Sequence, residues 1–337
     1  MKVCYDYDLS RHNTFGVASR CRRYVETATT AETQDFVRSE HAAVGTPDRQ
    51  LIVVGGGSNI LFPPTTDATV VHPAISGITA QAEGDDVRVT CGAGETWDDV
   101  VAWCVERGFH GAENLSGIPG SVGATAVQNI GAYGAEAKDL ICGIEAVDVA
   151  TGDVRLIAPG ECRYGYRHSR FKDDWCGRYI ITHVSYCLSR TFRPQLGYGN
   201  LREMLTDGQP TATALRQAVL DIRAAKLPDP AVEGNAGSFF MNPVVSADKY
   251  NSLSAAYPSM PCYRVEGGVK VPAAWLIEQC GWKGRTLGRA GVHSRQALVI
   301  VNKGGATADD ILRLMHAIQA DVEQRFGIRL QPEVVMV

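Results

Sequence analysis

Short apolar runs and changes of hydrophobic period divide the chain into recognisable pieces. Leu51–Val54 is a brief apolar run of strand character that ends in Gly55-Gly56-Gly57, and Val87–Thr90 alternates as a strand. After Glu95 the period changes. Trp97, Val100, Val101, Cys104 and Val105 fall on one helical face, with Thr96 placed as N-cap and Gly108 as stop. Strands are expected at Gly143–Val149 and Tyr179–Ser189, with Thr151-Gly152-Asp153 as a turn. A helix over Ala212–Ala225 ends before Leu227-Pro228-Asp229-Pro230, the clearest linker signal. The last third reads as a separate unit. It has a helix at Asp248–Ala256, a hairpin at Cys262–Val271 around Gly267-Gly268, and a helix at Pro272–Cys280 with proline in its first turn. A strand at Ala297–Asn302 precedes a strongly periodic helix, Thr307–Phe326, whose stripe is Ile311, Leu314, Met315, Ile318 and Val322.

With 337 residues, the chain exceeds one ordinary core, so two or three domains are expected. Hydrophobic residues make up 45%, as in a globular protein, and a net charge of −4 argues against a nucleic-acid binder. The basic cluster Arg20, Arg22 and Arg23 fits a solvated surface better than an anion site. The opening MKVCYDYDLSRHN lacks the apolar core of a secretory signal. The uncharged stretch Asn114–Ala135 is too rich in glycine and amides to span a membrane. A soluble, cytoplasmic protein without a membrane partner is therefore expected. The 10 cysteines form no C-x-x-C pair and no zinc-finger spacing with histidine, so no metal site is expected. A reducing compartment fits them, with Cys104, Cys187 and Cys280 as small buried hydrophobes.

Two glycine-rich segments carry candidate chemistry. Gly55-Gly56-Gly57-Ser58-Asn59 follows a strand, and its backbone can approach a diphosphate without Cβ clashes. On chemistry alone it fits a tight turn with no ligand equally well. It is neither a Walker A loop nor a G-x-G-x-x-G turn. The block Glu113–Gly134, ENLSGIPGSVGATAVQNIGAYG, has glycines at 117, 120 and 123 and uncharged donors at Ser116, Ser121, Gln128 and Asn129. Such a segment can wrap a flat, polar-edged cofactor through its backbone, and a structureless loop of this length would be unusual.

This block, taken with Asn13-Thr-Phe-Gly16, Val54-Gly-Gly-Gly-Ser-Asn-Ile-Leu61, Tyr166-Arg-His-Ser-Arg-Phe-Lys172, Gly234-Asn-Ala-Gly-Ser-Phe-Phe240 and Pro332-Glu-Val334, resembles the UDP-N-acetylenolpyruvoylglucosamine reductase family. The pieces run nearly end to end in the family's order and spacing. The resemblance implies an α+β chain: an FAD-binding fold of the vanillyl-alcohol-oxidase (PCMH) type in two subdomains, plus a smaller α/β substrate-binding domain. The implied boundaries are 1–74, 75–225 and 226–327, with a C-terminal strand at 328–337 returning to the first. Non-covalent FAD would be held by Gly55, Gly56, Gly57, Ser58, Asn59, Ile60 and Leu61 at the pyrophosphate. Ser116, Ile118, Pro119, Gly120, Ser121, Gly123 and Ala124 would lie along the flavin, and Arg223 would also contact the cofactor.

The resemblance further implies the reaction. NADPH reduces FAD, and a hydride then passes to the vinyl carbon of a UDP-sugar enolpyruvyl ether. Negative charge develops toward the carboxylate, and a proton completes the reduction. Arg167 matches the family's fixed cation, Ser238 its proton donor and Glu333 its third catalytic group. A guanidinium suits a carboxylate because it stays charged and can form two parallel bonds. Serine, normally a weak acid, can protonate a very basic carbanion-like centre when its hydroxyl is oriented. A carboxylate beside a developing anion must be protonated or must orient a partner. Tyr166, Tyr198, Lys226 and Asn242 match substrate-binding positions. Tyr198 corresponds to a tyrosine on a mobile loop found in one subtype. A monomeric enzyme is expected.

Three positions depart from the family's usual residues. Met241 stands where lysine is frequent, Thr125-Ala126 replaces alanine-proline and so suggests a less stiff loop, and Gln331 stands for glutamate. Two rival readings use the same glycine loops: a flavin oxidase of sugars or alcohols, and a non-catalytic nucleotide-sugar sensor. Neither needs Arg167, Ser238 and Glu333 together.

Overall fold

Tyr179–Ser189 alternates between buried and half-buried positions for most of its length, as a strand with one face on a core must. It is the middle strand of a five-stranded antiparallel sheet, ordered Val154–Ile157, Ile141–Asp148, Tyr179–Ser189, Asp86–Gly92 and Ile78–Glu83. In this computed structural model, residues 1–42, 50–198, 201–205 and 210–337 are described. The chain divides into two units.

The first unit comprises Met1–Tyr7, Cys21–Gly56 and Asp67–Ala225. Its five-stranded sheet packs a core of Val87, Val89, Trp97, Val101, Leu115, Val122 and Tyr186 under the helices Trp97–Glu106 and Val122–Gln128. A second sheet has the order Lys2–Asp8, Arg20–Thr27, Thr65–Pro73, Leu51–Val53, and its last two strands run parallel. The turn at Thr151–Asp153 closes as the sequence suggests, with Gly152 at φ +74°.

The second unit comprises Asp8–Arg20, Gly57–Thr66 and Lys226–Val337. A four-stranded sheet, ordered Asn235–Ser238, Val299–Asn302, Ala290–Val292 and Thr286–Leu287, shares one core with the helix Ala308–Phe326. That helix buries Ile311, Leu314, Met315, Ile318, Val322 and Phe326. Each such side chain stabilises the unit by roughly 1.5–3 kcal/mol relative to exposure. Its start is fixed by a capping box. Thr307 Oγ1 accepts from the Asp310 amide at 3.2 Å, and the Asp310 carboxylate accepts from the Thr307 amide at 3.0 Å. Gly327 ends it at φ +60°. Val335–Met336 pairs in parallel with Ile60–Leu61.

Several local expectations are corrected. Thr96 has extended N-cap geometry, but its side chain makes no capping bond. Pro272 is the N-cap of Ala273–Gln279, not a residue of its first turn. Cys104 is buried, whereas Cys187 and Cys280 are only half-buried, and all ten cysteines are free thiols. Arg23 is not plain solvated surface, because its guanidinium pairs with Glu40 at 2.5 Å and lies over the Phe36 ring. Among the described residues no helix is long and apolar enough to cross a membrane, and no cluster of His, Cys, Asp or Glu could hold a metal ion.

Candidate active site

In the first unit the two glycine segments touch. A Cβ on Gly55 would lie 2.1 Å from Ser121 Oγ, and one on Gly56 would lie 3.1 Å from the Gly120 Cα. The two segments thus approach closely enough that a side chain at either glycine would crowd the other loop. The amides of Gly55, Gly56, Gly120 and Ser121 donate to no acceptor among the described residues. Four open N–H groups on two abutting turns form a cradle suited to an anionic or polar-edged cofactor. FAD fits it in both respects: the donors are uncharged backbone, and the cradle is one a side chain would fill. Gly123 packs against Ala93, where a Cβ would stand 3.1 Å from the alanine's own. Ser116, by contrast, turns inward. Its hydroxyl donates to the Glu113 carbonyl at 2.6 Å.

Gly117, at φ +69°, is held at both ends of its residue. Its amide donates to Asp98 Oδ1 at 2.6 Å, and its carbonyl accepts from Arg223 Nε at 3.0 Å. Asp98 is in turn gripped by both terminal nitrogens of Arg216, at 2.5 and 3.0 Å. Burial pushes the Asp98 carboxyl up, but Arg216 and the Gly117 amide outweigh it and hold it below the usual range. Burial lowers the Arg223 pKa, and the like charge of Arg167 lowers it further, against Tyr133 and Asp98. Asp98 and Arg216 were not among the residues the sequence pointed to.

Arg167 occupies a tight turn between Gly165 and His168, at φ +55°. A left-handed arginine costs about 1–2 kcal/mol, so its surroundings must hold it there. Its Nη2 donates to the Gly131 carbonyl at 2.6 Å, and its guanidinium lies 5.4 Å from the Tyr166 ring centroid. Buried Asn129 donates to the Gly165 carbonyl at 2.8 Å. Lys172 Nζ donates to Gln128 Oε1 at 2.7 Å. The block at 113–134 and the segment at 166–172 are thus one assembly. Tyr198, 51% exposed, stands edge-on to Tyr133 with ring centroids 6.2 Å apart, and its loop neighbours Gly199 and Asn200 lie outside the described residues.

The second unit gathers four of the other motif pieces. Thr14 donates from its amide to the Gly57 carbonyl at 3.0 Å and from its hydroxyl to the Asn235 carbonyl at 2.6 Å. A Cβ on Gly57 would lie 1.9 Å from the His12 carbonyl oxygen, so this turn also demands glycine. Asn59 Nδ2 donates to the Glu333 carbonyl at 3.1 Å, and the Glu333 amide donates to the Phe239 carbonyl at 2.8 Å. Ser238 and Glu333 therefore sit on adjacent extended segments. Both are half-buried. Met241 and Gln331 face each other across the same pairing, amide to carbonyl at 2.9 Å. Both side chains of this pair are uncharged.

Of the remaining expected contacts, Lys226 is exposed at the end of the helix Ala212–Lys226. Asn242 Oδ1 accepts from the Ala273 amide at 2.9 Å. The Thr125-Ala126 substitution does not loosen a loop, because it lies within the helix Val122–Gln128. There the Thr125 hydroxyl bonds the Val122 carbonyl at 2.7 Å and the buried Tyr186 hydroxyl at 2.6 Å. An open hollow of about 680 Å³, lined by Arg88, Cys142, Glu145, His183 and Ser185 among others, includes none of these motif residues.

Comparison with known proteins agrees with this geometry. Residues 22–157 match the family described as "FAD binding domain". The class is thus that of FAD-binding α+β proteins. Residues 229–337 match "UDP-N-acetylenolpyruvoylglucosamine reductase, C-terminal domain". Proteins named UDP-N-acetylenolpyruvoylglucosamine reductase are similar over nearly the whole chain. That of Bacteroides fragilis (strain ATCC 25285) is 45% identical over 97% of this chain and 98% of its own. That of Porphyromonas gingivalis (strain W83) is 44% identical over 99% of each. The crystal structure of the Thermus caldophilus reductase superposes with a TM-score of 0.67 at 23% identity, covering 99% of this chain and 98% of that one. The chain belongs to the UDP-N-acetylenolpyruvoylglucosamine reductase family.

Proposed function

We propose that this chain reduces the enolpyruvyl ether of UDP-N-acetylglucosamine to UDP-N-acetylmuramate, a step in building the precursor of the bacterial cell wall. The observation that carries the reading is the cradle of open amides where Gly55 and Gly56 meet Gly120 and Ser121. FAD, when bound there, supplies the hydride chemistry, with NADPH as reductant.

The side chains have distinct tasks. Arg167 binds the enolpyruvyl carboxylate and stabilises the charge that develops beside it. Its backbone is fixed by the Gly165–His168 turn and its guanidinium is already oriented by the Gly131 carbonyl, so little reorganisation precedes reaction. Ser238 delivers the proton to the carbon next to the carboxylate. Glu333, on the segment beside it, either donates a hydrogen bond as the acid or orients its neighbour. Tyr166, Tyr198, Lys226 and Asn242 anchor the nucleotide sugar. The enzyme acts as a cytoplasmic monomer, in keeping with its ten free thiols.

The test is a visible spectrum recorded anaerobically. Flavin bands should bleach with NADPH and return on adding the enolpyruvyl sugar nucleotide. Bands that return only when oxygen is admitted would instead favour an oxidase. A protein that takes up no FAD would overturn the reading.

A further inference from the structure

The residue Gly117 introduces the turn that ends in the open amides of Gly120 and Ser121. It is gripped from outside the turn by side chains, not by backbone. Asp98, in the first turn of the helix Trp97–Glu106, takes its amide. Arg223 takes its carbonyl. Arg216, two helical turns before Arg223 on the helix Ala212–Lys226, locks Asp98 through two bonds. The fit leaves little slack. A Cβ on Gly117 would lie 2.9 Å from Leu220 Cδ2 and 3.1 Å from Arg223 Cδ. The neighbouring Trp97 ties the same stretch one step earlier, Nε1 donating to the Leu115 carbonyl at 3.0 Å.

An ion pair of this kind needs a reason. Asp98 could have capped its own helix, since an acid in the first turn complements the helix dipole. It reaches across to another segment instead. A loop that binds through backbone amides cannot correct its own aim, because φ and ψ of the glycines are soft. Rigid side-chain bonds on both sides of Gly117 remove that freedom.

We infer that Asp98 is a positioning residue for FAD: with Arg216 as its brace, it fixes the peptide at Gly117 so that the amides of Gly120 and Ser121 are held ready for the cofactor. Asp98 touches neither cofactor nor substrate in this role. The inference rests on the FAD-binding reading above and extends it to two residues outside the motifs.

The experiment measures FAD affinity of the apo-protein by flavin fluorescence titration, together with apo-protein melting temperature, for wild type, Asp98→Ala, Asp98→Asn and Arg216→Met. Asp98→Ala removes the acceptor. It should weaken FAD binding by roughly tenfold to hundredfold, the range for losing a charge-assisted hydrogen bond. Asp98→Asn keeps an oxygen for the Gly117 amide and should recover most of that loss, which a role confined to the ion pair would not allow. Arg216→Met should fall between the two. If Asp98→Ala binds FAD as tightly as wild type, whether or not its melting temperature falls, the inference is overturned. Asp98→Asn being as impaired as Asp98→Ala would overturn it as well. A wild-type chain that takes up no FAD would instead overturn the underlying reading, and this inference with it.

Discussion

Lys172 Nζ donates to the backbone carbonyl of Arg167 at 3.1 Å, from five residues further along the chain. The same ammonium also holds Gln128 Oε1. It thereby ties the turn that carries Arg167 to the helix Val122–Gln128. Replacing Lys172 with methionine keeps the aliphatic stem and removes both bonds. Arg167, left-handed at φ +55°, would then lose one of the bonds that hold its turn in place. We expect kcat/KM for the enolpyruvyl substrate to fall on the order of tenfold to hundredfold. Reduction by NADPH, followed by stopped-flow absorbance, should be little changed, because that half of the cycle does not require a cation at the substrate carboxylate. A parallel loss in both half-reactions would show that Lys172 supports the whole fold instead.

The glycine contacts make a sharper distinction. Gly55→Ala places a Cβ 2.1 Å from Ser121 Oγ and 3.2 Å from its Cβ, so the Ser121 hydroxyl must rotate away and the two loops must part by a few tenths of an ångström. Purified Gly55→Ala protein should be colourless or lose FAD on gel filtration. Gly160 supplies the control. Its φ is ordinary and nothing lies within 4 Å of an added Cβ. Gly160→Ala should retain FAD and full activity.

Ser238→Ala separates hydride delivery from protonation. Ser238 lies at the end of the strand Asn235–Ser238, opposite Val299, so the missing hydroxyl leaves the backbone pairing intact. The variant should be bleached by NADPH at the normal rate and should recover its flavin bands with substrate only very slowly. Full steady-state activity would remove Ser238 from the proposed role.

Much of this arrangement was legible in the sequence, and the reason is locality. The helix Ala308–Phe326 announces itself through a stripe of period 3.6 read within one segment, and the structure adds a capping box and a terminal glycine at its ends. The glycine loops were visible as candidate cradles because only glycine tolerates such turns. Asp98 was not visible as a functional residue. Its partner Gly117 is distant in sequence, and nothing in the spacing links them. The one signal available was the separation of Arg216 and Arg223 by seven residues, which puts both on one face of their helix. The Thr125-Ala126 pair was misread for a related reason: it was weighed against alanine-proline as part of a loop, while the Thr125 hydroxyl is used inside a helix against Tyr186.

His293 predicts a pH dependence of stability in the second unit. It is buried, and its Nδ1 accepts from the Arg295 amide at 3.3 Å, so that nitrogen must be unprotonated. Burial lowers its pKa below the ordinary value, with Glu233 opposing and Arg295 and Lys303 assisting. Because the folded pKa lies below the unfolded one, the unfolded chain takes up the proton first. The stabilisation is complete above about pH 6.5 and is lost as pH falls toward and through the lowered folded pKa. Melting temperature should therefore decline from pH 7.5 to 5, and more steeply in wild type than in His293→Asn. Parallel declines would assign the effect to other groups.

The buried pair Thr125–Tyr186 yields the clearest stability prediction. Tyr186 is fully buried, and its hydroxyl meets Thr125 Oγ1 at 2.6 Å. Burial drives its pKa well above the ordinary tyrosine value, so the phenol stays neutral across the working range. Thr125→Ala leaves the Tyr186 hydroxyl without that partner. An unsatisfied buried hydroxyl costs about 1–3 kcal/mol. Tyr186→Phe removes the phenol oxygen but leaves Thr125 its bond to the Val122 carbonyl, so it should cost less. The double variant should be nearer to Tyr186→Phe than to the sum of the two, since each change removes the same bond. Urea unfolding of the four proteins, with FAD omitted so that binding does not contribute, would measure the coupling. Strict additivity would mean that the hydroxyl pair contributes nothing to the stability of the first unit.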